Sequence, residues 1–534
     1  MHVEDFLRRS ITRRTALKAS AATFLASQLA LFEQLAWAPQ RLAMAAATPS
    51  DIQFDIGAFI APARTFNDGA GDVVAQFGPV FSLFVPATLN RNPTKFDQAV
   101  LAGALNRIED AFAFSPSGAF VFVHYGTPYF NRLPAILRAA FIPRLASNLN
   151  RFVLEEAVPS PTDVSAQNPG ITKDRFNVPV RIERNDLLFQ LRSDSLGNLV
   201  NIANWLAGSN NLNGRFVFSP AFGNLFDFKT SRVQFVQPGL PRKVADNAAA
   251  GNPTLYEYHG RINPNSSMAM GFVDQQVDSS APSAAVVTFA GSSHGVLTSA
   301  KAGDYFDNGS IAHFSHDVDD LFQFFNLEDQ DSRRPEAEIF TERVQYMFRS
   351  NQLGTAKGIP SAGNADQFTD GGGPAFINNA FQGTDAALRG ARASGGVFGP
   401  GNQTLDATFN GENRIGHEVA LQRSSRAADG TPLHIRNDGP GFDSMDVPAF
   451  QDFPGGTNFP AGTNQFKLQF LMFVPTSEFF RQLRVNVAAQ DLQAQFLGNE
   501  DENNGLERFI TATRRQNFLT PPRRHRSFPL LELT

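Results

Sequence analysis

The chain has 534 residues, 42% of them hydrophobic and 18% charged, with a formal net charge of -5, a length that points to about two domains or one duplicated unit. The mildly acidic balance, with Lys and Arg scattered beyond the N-terminus, excludes the basic footprint of a nucleic-acid binder and a charged membrane-surface patch. Cys is absent, which excludes disulfides, thiolate metal sites and a thiol nucleophile.

Phe numbers 52, against 6 Tyr and 2 Trp, so the interior is expected to be packed with bulky rings. Phe is also the aromatic residue hardest to oxidise. That suits a protein exposed to oxidants, and drift in composition explains it as well.

Residues 1–45 read as a targeting segment outside the fold. The run T-R-R-T-A-L-K (Thr12 to Lys18) resembles the twin-arginine export consensus, with Arg13 and Arg14 as the pair. The apolar stretch from Ala19 to about Trp37 carries Gln28, Glu33 and Gln34, too polar for a stable membrane span. Ala43-Met44-Ala45 then offers the small-x-small pattern of a cleavage site. A basic amphipathic helix is the other reading. The expectation is a periplasmic, extracellular or cell-envelope protein. Substrates of this route are typically folded before transport, often around an inserted cofactor.

The mature chain alternates strands and helices. Val80 to Pro86 reads as a strand, Lys95 to Phe114 as a helix and Ala119 to Tyr125 as a second strand. A Pro-rich excursion spans Ala157 to Pro169. Asn185 to Arg192 is a third strand, Ser195 to Ala207 a second helix, and Arg215 to Phe218 opens a fourth strand. This is the split βαβ order of a ferredoxin-like domain. The second half repeats it loosely. Ser310 to Phe314 is a strand followed by helical residues to about Ser350; Lys467 to Pro475 is a strand, Thr476 to Leu497 a helix, and Phe509 to Pro521 extended. Gly354 to Asn410, rich in Gly, Asn, Ala and Ser, reads as a long surface insertion. The expected fold class is α+β, with two ferredoxin-like domains of the dimeric α+β barrel type, at residues 46–240 and 241–534.

Three constellations compete for the chemistry. G-S-S-H-G (Gly291 to Gly295) matches a nucleophile elbow after an apolar strand, Ala284 to Ala290. Ser293 would be the nucleophile, but Gly303 and Asp304 interrupt the helix such an elbow must open, and a Gly/Ser turn is the other reading. His313, His316, Asp317, Asp319 and Asp320 supply imidazole and carboxylate for a divalent metal. The two histidines, three apart on a strand, face opposite sides, and the acids also suit the start of the following helix.

The third constellation is a set of segments in order. G-F-V-D-Q-Q (Gly271 to Gln276) resembles the G-F-x-D-G signature of dye-decolourising peroxidases. D-G-T-P-L-H-I-R-N-D-G-P (Asp429 to Pro440) resembles that family's A-H-I-R-x-x-N-P segment. N-D-L-L-F-Q-L-R-S-D (Asn185 to Asp194), R-I-G-H (Arg414 to His417) and N-F-L-T-P-P (Asn517 to Pro522) are similar to further family segments. The likeness is collinear from about Phe77 to Pro522.

The resemblance implies haem b, hydrogen peroxide and a small electron donor as cofactor and substrates. It makes His434 the axial iron ligand and Asp274 the distal acid/base. Arg436 would meet a haem propionate, and Glu507, in G-L-E-R-F, would be hydrogen-bonded to the ligand. Taken alone, His434 also reads as a loop histidine and Asp274 as a turn residue. The chain departs from the pattern at Gln275, where the family has Gly. It also has no Arg between Arg436 and Arg481, where the family's distal Arg is expected. That departure motivates two alternatives, a non-enzymatic haem-binding or haem-carrying protein and a haem-less interaction protein on the same fold. An oligomer is compatible with the sequence.

Overall fold

A computed structural model describes residues 48–173, 175–220, 222–251, 258–274, 284–291, 297–325, 434–443, 466–488 and 505–534, with residue 490 and single positions within 337–348. The targeting segment, Ser293, Gln275, the 354–410 insertion and the R-I-G-H segment lie outside these residues.

Among the described residues eight strands, most of them built on alternating or continuous apolar runs, form one ring. They are β1 (Phe81–Leu89), β2 (Phe120–Gly126), β3 (Leu187–Ser193), β4 (Arg232–Phe235), β5 (Ser310–Asp319), β6 (Ile435–Asp443), β7 (Lys467–Val474) and β8 (Ile510–Thr520). Their order is β1-β4-β6-β7-β5-β8-β2-β3, every pair antiparallel, and β3 pairs back onto β1 to close a barrel. Closure leaves these strands without an open edge.

Alternation along each strand divides the side chains between two regions. Leu83, Val121 and Leu191 point outward and share a core with Leu101 and Leu199 of the helices α1 (Lys95–Ala111) and α2 (Leu196–Leu206). Phe84, Phe122, Leu188, Phe314, Leu471 and Phe518 form the inner cluster. Each helix starts where the sequence supplies a cap. Thr94 and Asp97 form a capping box on α1, and the Ser195 hydroxyl accepts from the Asn198 N–H on α2. In the second half, α3 (Leu321–Phe325) follows β5, and α4 (Ser477–Ala488) lies against the outer face of β5 and β7. Among the described residues no helix is long and apolar enough to cross a membrane.

Three expectations need correction. Arg215–Phe216 does not enter the barrel. It pairs with Asn211–Leu212 across a turn in which Asn213 and Gly214 have φ of 51° and 76°, and β4 is the fourth strand of the ring. The run Ala284 to Ala290 is a 3-10 turn at Ala284–Val287, so no strand feeds the Ser293 motif. The Asp429–Pro440 stretch, rich in Gly, Asp and Pro, contains most of β6. Barrel closure brings the β4 backbone so near that a Cβ on Gly441 would lie 2.0 Å from the Val233 carbonyl oxygen. Glycine here is a packing requirement and not a loop signal.

Candidate functional site

The outer faces of β5, β6 and β7 form a floor beneath α4. Alternation turns Ser315, Asp317 and Asp319 of β5, Arg436 and Asp438 of β6, and Leu468, Phe470 and Met472 of β7 to this side. With Phe480, Leu483 and Arg484 of α4 and a covering segment at 268–274, they enclose about 890 Å3 of atom-free space, partly open to solvent.

The covering segment is held by its own turn. The N–H groups of Ser267 and Met268 both donate to the Phe272 carbonyl. Gly271 has φ of 89°, and a Cβ there would press on the Phe325 and Phe340 rings at 3.3 Å, so both backbone and space require glycine. The Asp68 carboxylate accepts from the Val273 N–H at 2.7 Å, and Ser267 Oγ accepts from the Asp274 N–H at 3.2 Å. These contacts fix the Asp274 carboxyl on the cavity wall.

Arg436 reaches it from β6. Its Nη1 lies 3.2 Å from Asp274 Oδ2 and 3.7 Å from Asp438 Oδ2. Burial pushes the Asp438 carboxyl up to about 6; Arg436 pulls against that and Asp274 adds to it. Asp317 is likewise pushed up to about 6 by burial, against the pull of Arg515 and Arg484, with Asp163 adding to the rise. Asp319 is raised well above the ordinary carboxylate range, first by burial and then by Asp317. A floor of reluctantly ionised acids beside one ion pair is a common electrostatic signature of a working site.

Of the residues singled out from the sequence, Asp274 and Arg436 come together. Arg436, for which the resemblance implies a propionate contact, has its guanidinium beside the Asp274 carboxylate. His434 is 2% exposed, one residue before β6 and outside the lining just described. Glu507 is held elsewhere, its carboxylate taken by Arg484 Nη2 at 2.6 Å and Thr162 Oγ1 at 2.8 Å. Burial pushes its pKa up, but Arg484, Lys173, Thr162 and Arg515 outweigh that and hold it at about 2.

The Pro-rich excursion also has a role here. It sends Asp163 against Arg515 with a bidentate pair at 2.7 and 3.0 Å, both side chains 3% exposed. Thr162 and Asp163 thereby lock the first half of the chain onto the cavity floor of the second.

His313 and His316 do face opposite sides of β5, and among the described residues no three metal-ligating side chains are grouped to hold an ion. Asp320 accepts from the Gln323 N–H at 3.1 Å and caps α3. Asp317 and Asp319 turn into the cavity instead. The alternating D-V-D of β5 was the available signal for that placement.

A model of a family of unknown function (DUF7405) matches residues 152–369. No curated protein matches. Solved structures similar to the chain include the encapsulated DyP-type peroxidase from Mycobacterium smegmatis, with 14% identity over 84% of this chain and 96% of that one and a TM-score of 0.41. A dye-decolorizing peroxidase from Bacteroides thetaiotaomicron is similar at 12% identity over 85% and 94%, with a TM-score of 0.41. A Rhodococcus jostii DypB variant in complex with heme is similar at 11% identity over 84% and 95%, with a TM-score of 0.39.

Proposed function

We propose that the chain is an exported haem-dependent peroxidase of the dye-decolourising type, using hydrogen peroxide to oxidise a small electron donor. The observation that carries this reading is the Asp274–Arg436 pair at 3.2 Å on the wall of a cavity with apolar sides. A carboxylate positioned by two backbone contacts, next to a guanidinium, is a proton shuttle with a charge stabiliser beside it.

Two ferredoxin-like units are part of the proposal. The ring order β4-β1-β3-β2 in the first half and β6-β7-β5-β8 in the second supports it, being one strand arrangement used twice. Residues 46–240 and 241–534 would be the two units, following a cleaved twin-arginine signal.

The cavity walls suit a porphyrin face, and the ligand that the resemblance implies, His434, lies beyond them, just before β6. Met268, Met270, Phe272, Phe470, Met472 and Leu483 line the cavity with the polarisable and aromatic groups that suit such a face. His434 would hold the iron, as the family resemblance implies. Haem, when bound, would supply a redox-active iron for the reaction with peroxide. Asp274 takes the proton from one peroxide oxygen and delivers it to the other, which departs as water. Arg436 holds its N–H donors and positive charge toward the oxygen on which negative charge grows. Asp438, pushed up to about 6, limits the negative charge around that guanidinium at mildly acid pH.

The alternative is a haem carrier without turnover, which draws on a missing distal cation; Arg436 beside Asp274 supports the peroxidase reading over it. The test is rapid-mixing kinetics of the haem-loaded protein with peroxide. Asp274→Asn should slow the reaction by roughly a hundred- to ten-thousand-fold while haem content stays that of the parent. An unchanged rate would take Asp274 out of the mechanism.

A further inference from the structure

The other flank of α4 covers a second cavity of about 880 Å3, with Phe480 and Arg484 shared between its wall and that of the first. Its innermost polar group is His313, on the outer face of β5 and 1% exposed. Asn517 fixes the tautomer of this ring. Asn517 Nδ2 donates to the Glu155 carbonyl at 3.0 Å, so its Oδ1 is the acceptor that meets His313 Nδ1 at 2.7 Å. The ring hydrogen therefore sits on Nδ1 and Nε2 presents a lone pair. Among the described residues nothing donates to Nε2.

The ring is stacked on Phe480 at 3.5 Å between centroids and 16° between planes, which holds its orientation. Burial drives the imidazole pKa well below its ordinary value, Arg515 and Arg484 add to that, and the Asn517 bond opposes it. The group is a neutral, buried acceptor.

The rest of the cavity limits what could satisfy it. Ala157, Val158, Pro159, Pro161 and Val485 contribute apolar surface. The cations at its rim are already matched: Arg151 pairs with Glu155 and Glu478, Arg481 with Glu478, and Arg484 with Glu507. No net charge is left to select an ion.

We propose that this cavity binds a small neutral molecule bearing an O–H or N–H donor on an apolar body, the donor directed at His313 Nε2 and the body lying against Phe480 and the Pro/Val walls. The site is separate from the Asp274 cavity and stands whether or not the chain binds haem.

Fluorine NMR of the full mature chain with three probes tests this. 4-Fluorophenol carries the donor, 4-fluoroanisole has the same ring without it, and 4-fluorobenzoate is an anion. Saturable binding of the phenol, with the anisole and the benzoate about tenfold weaker, is expected from one hydrogen bond to a buried acceptor. His313→Leu should weaken phenol binding by about the same factor. Val158→Trp, at an exposed position on the rim, should block the cavity without touching the core and abolish binding. The proposal is overturned by no saturable binding, by equal affinity for the anisole, by preference for the benzoate, or by a folded His313→Leu that binds as the parent does. Should His313→Leu not fold, undiminished binding in Val158→Trp overturns it.

Discussion

Replacing Asp317 with Asn tests whether the cavity floor stores electrostatic cost. The Asp317 side chain is 4% exposed, its Oδ1 has no hydrogen-bond donor among the described residues, and Oδ2 accepts from Ser315 at 3.1 Å. Burial lifts its pKa from 3.8 to about 6 despite Arg515 and Arg484. A rise of about 2 units, at about 1.4 kcal/mol each, disfavours the ionised form in the folded chain by about 3 kcal/mol. Because the folded pKa is the higher one, the protonated carboxyl is fully tolerated below about pH 4. Relative stability is then lost as pH rises through about 6. Asp317→Asn keeps the shape, retains an acceptor for Ser315 and carries no charge. Thermal melts at pH 8 and pH 4.5, followed by near-ultraviolet dichroism, should show the variant more stable by up to about 3 kcal/mol at the higher pH, with most of the gap gone at the lower. A variant no more stable than the parent at pH 8, or a gap independent of pH, would refute the reasoning.

Arg515→Met should destabilise the chain by about 3–5 kcal/mol, because it leaves Asp163 buried without its cation. Adding Asp163→Asn should recover much of that loss, and a double variant as unstable as the single one would contradict the pairing. For the iron ligand, His434→Ala should abolish haem retention, read as haem per polypeptide after purification. Stoichiometric haem in that variant, together with loss in His417→Ala, would move the ligand to the R-I-G-H segment.

Most of the barrel was legible because β1, β2, β3, β5 and β7 carry apolar alternation or continuous apolar runs, and β8 is framed by Ile510, Ala512, Phe518 and Leu519 around a polar middle. The two strands that were not legible are neighbours in the ring. β4 is only four residues long, R-V-Q-F, and its signal was eclipsed by Arg215 to Phe218, where an Asn-Gly turn makes a small hairpin. β6 is written in Gly, Asp and Pro because the β4 backbone leaves no room for a Cβ at Gly441 and presses on Gly439. That contact spans roughly two hundred residues of chain and has no local trace.

The same blind spot shaped the site. Read as a loop, Asp429 to Pro440 offered His434 and Arg436 as independent groups. Read as a strand, it gives alternating faces, so Arg436 and Asp438 share the cavity side, while His434 precedes the strand and lies outside that lining. The meeting of Arg436 with Asp274 joins positions far apart in the chain, which periodicity cannot foresee. Asp317 and Asp319 were visible as acids, but the helix start that explained them belongs to Asp320.

The most direct test of the account is the absorption spectrum of the chain from residue 46 onward, produced with haem precursor and then titrated with haemin. The account predicts a Soret band at close to one haem per polypeptide. A colourless protein that also refuses added haemin would contradict it and leave the Asp274–Arg436 cavity to some other chemistry.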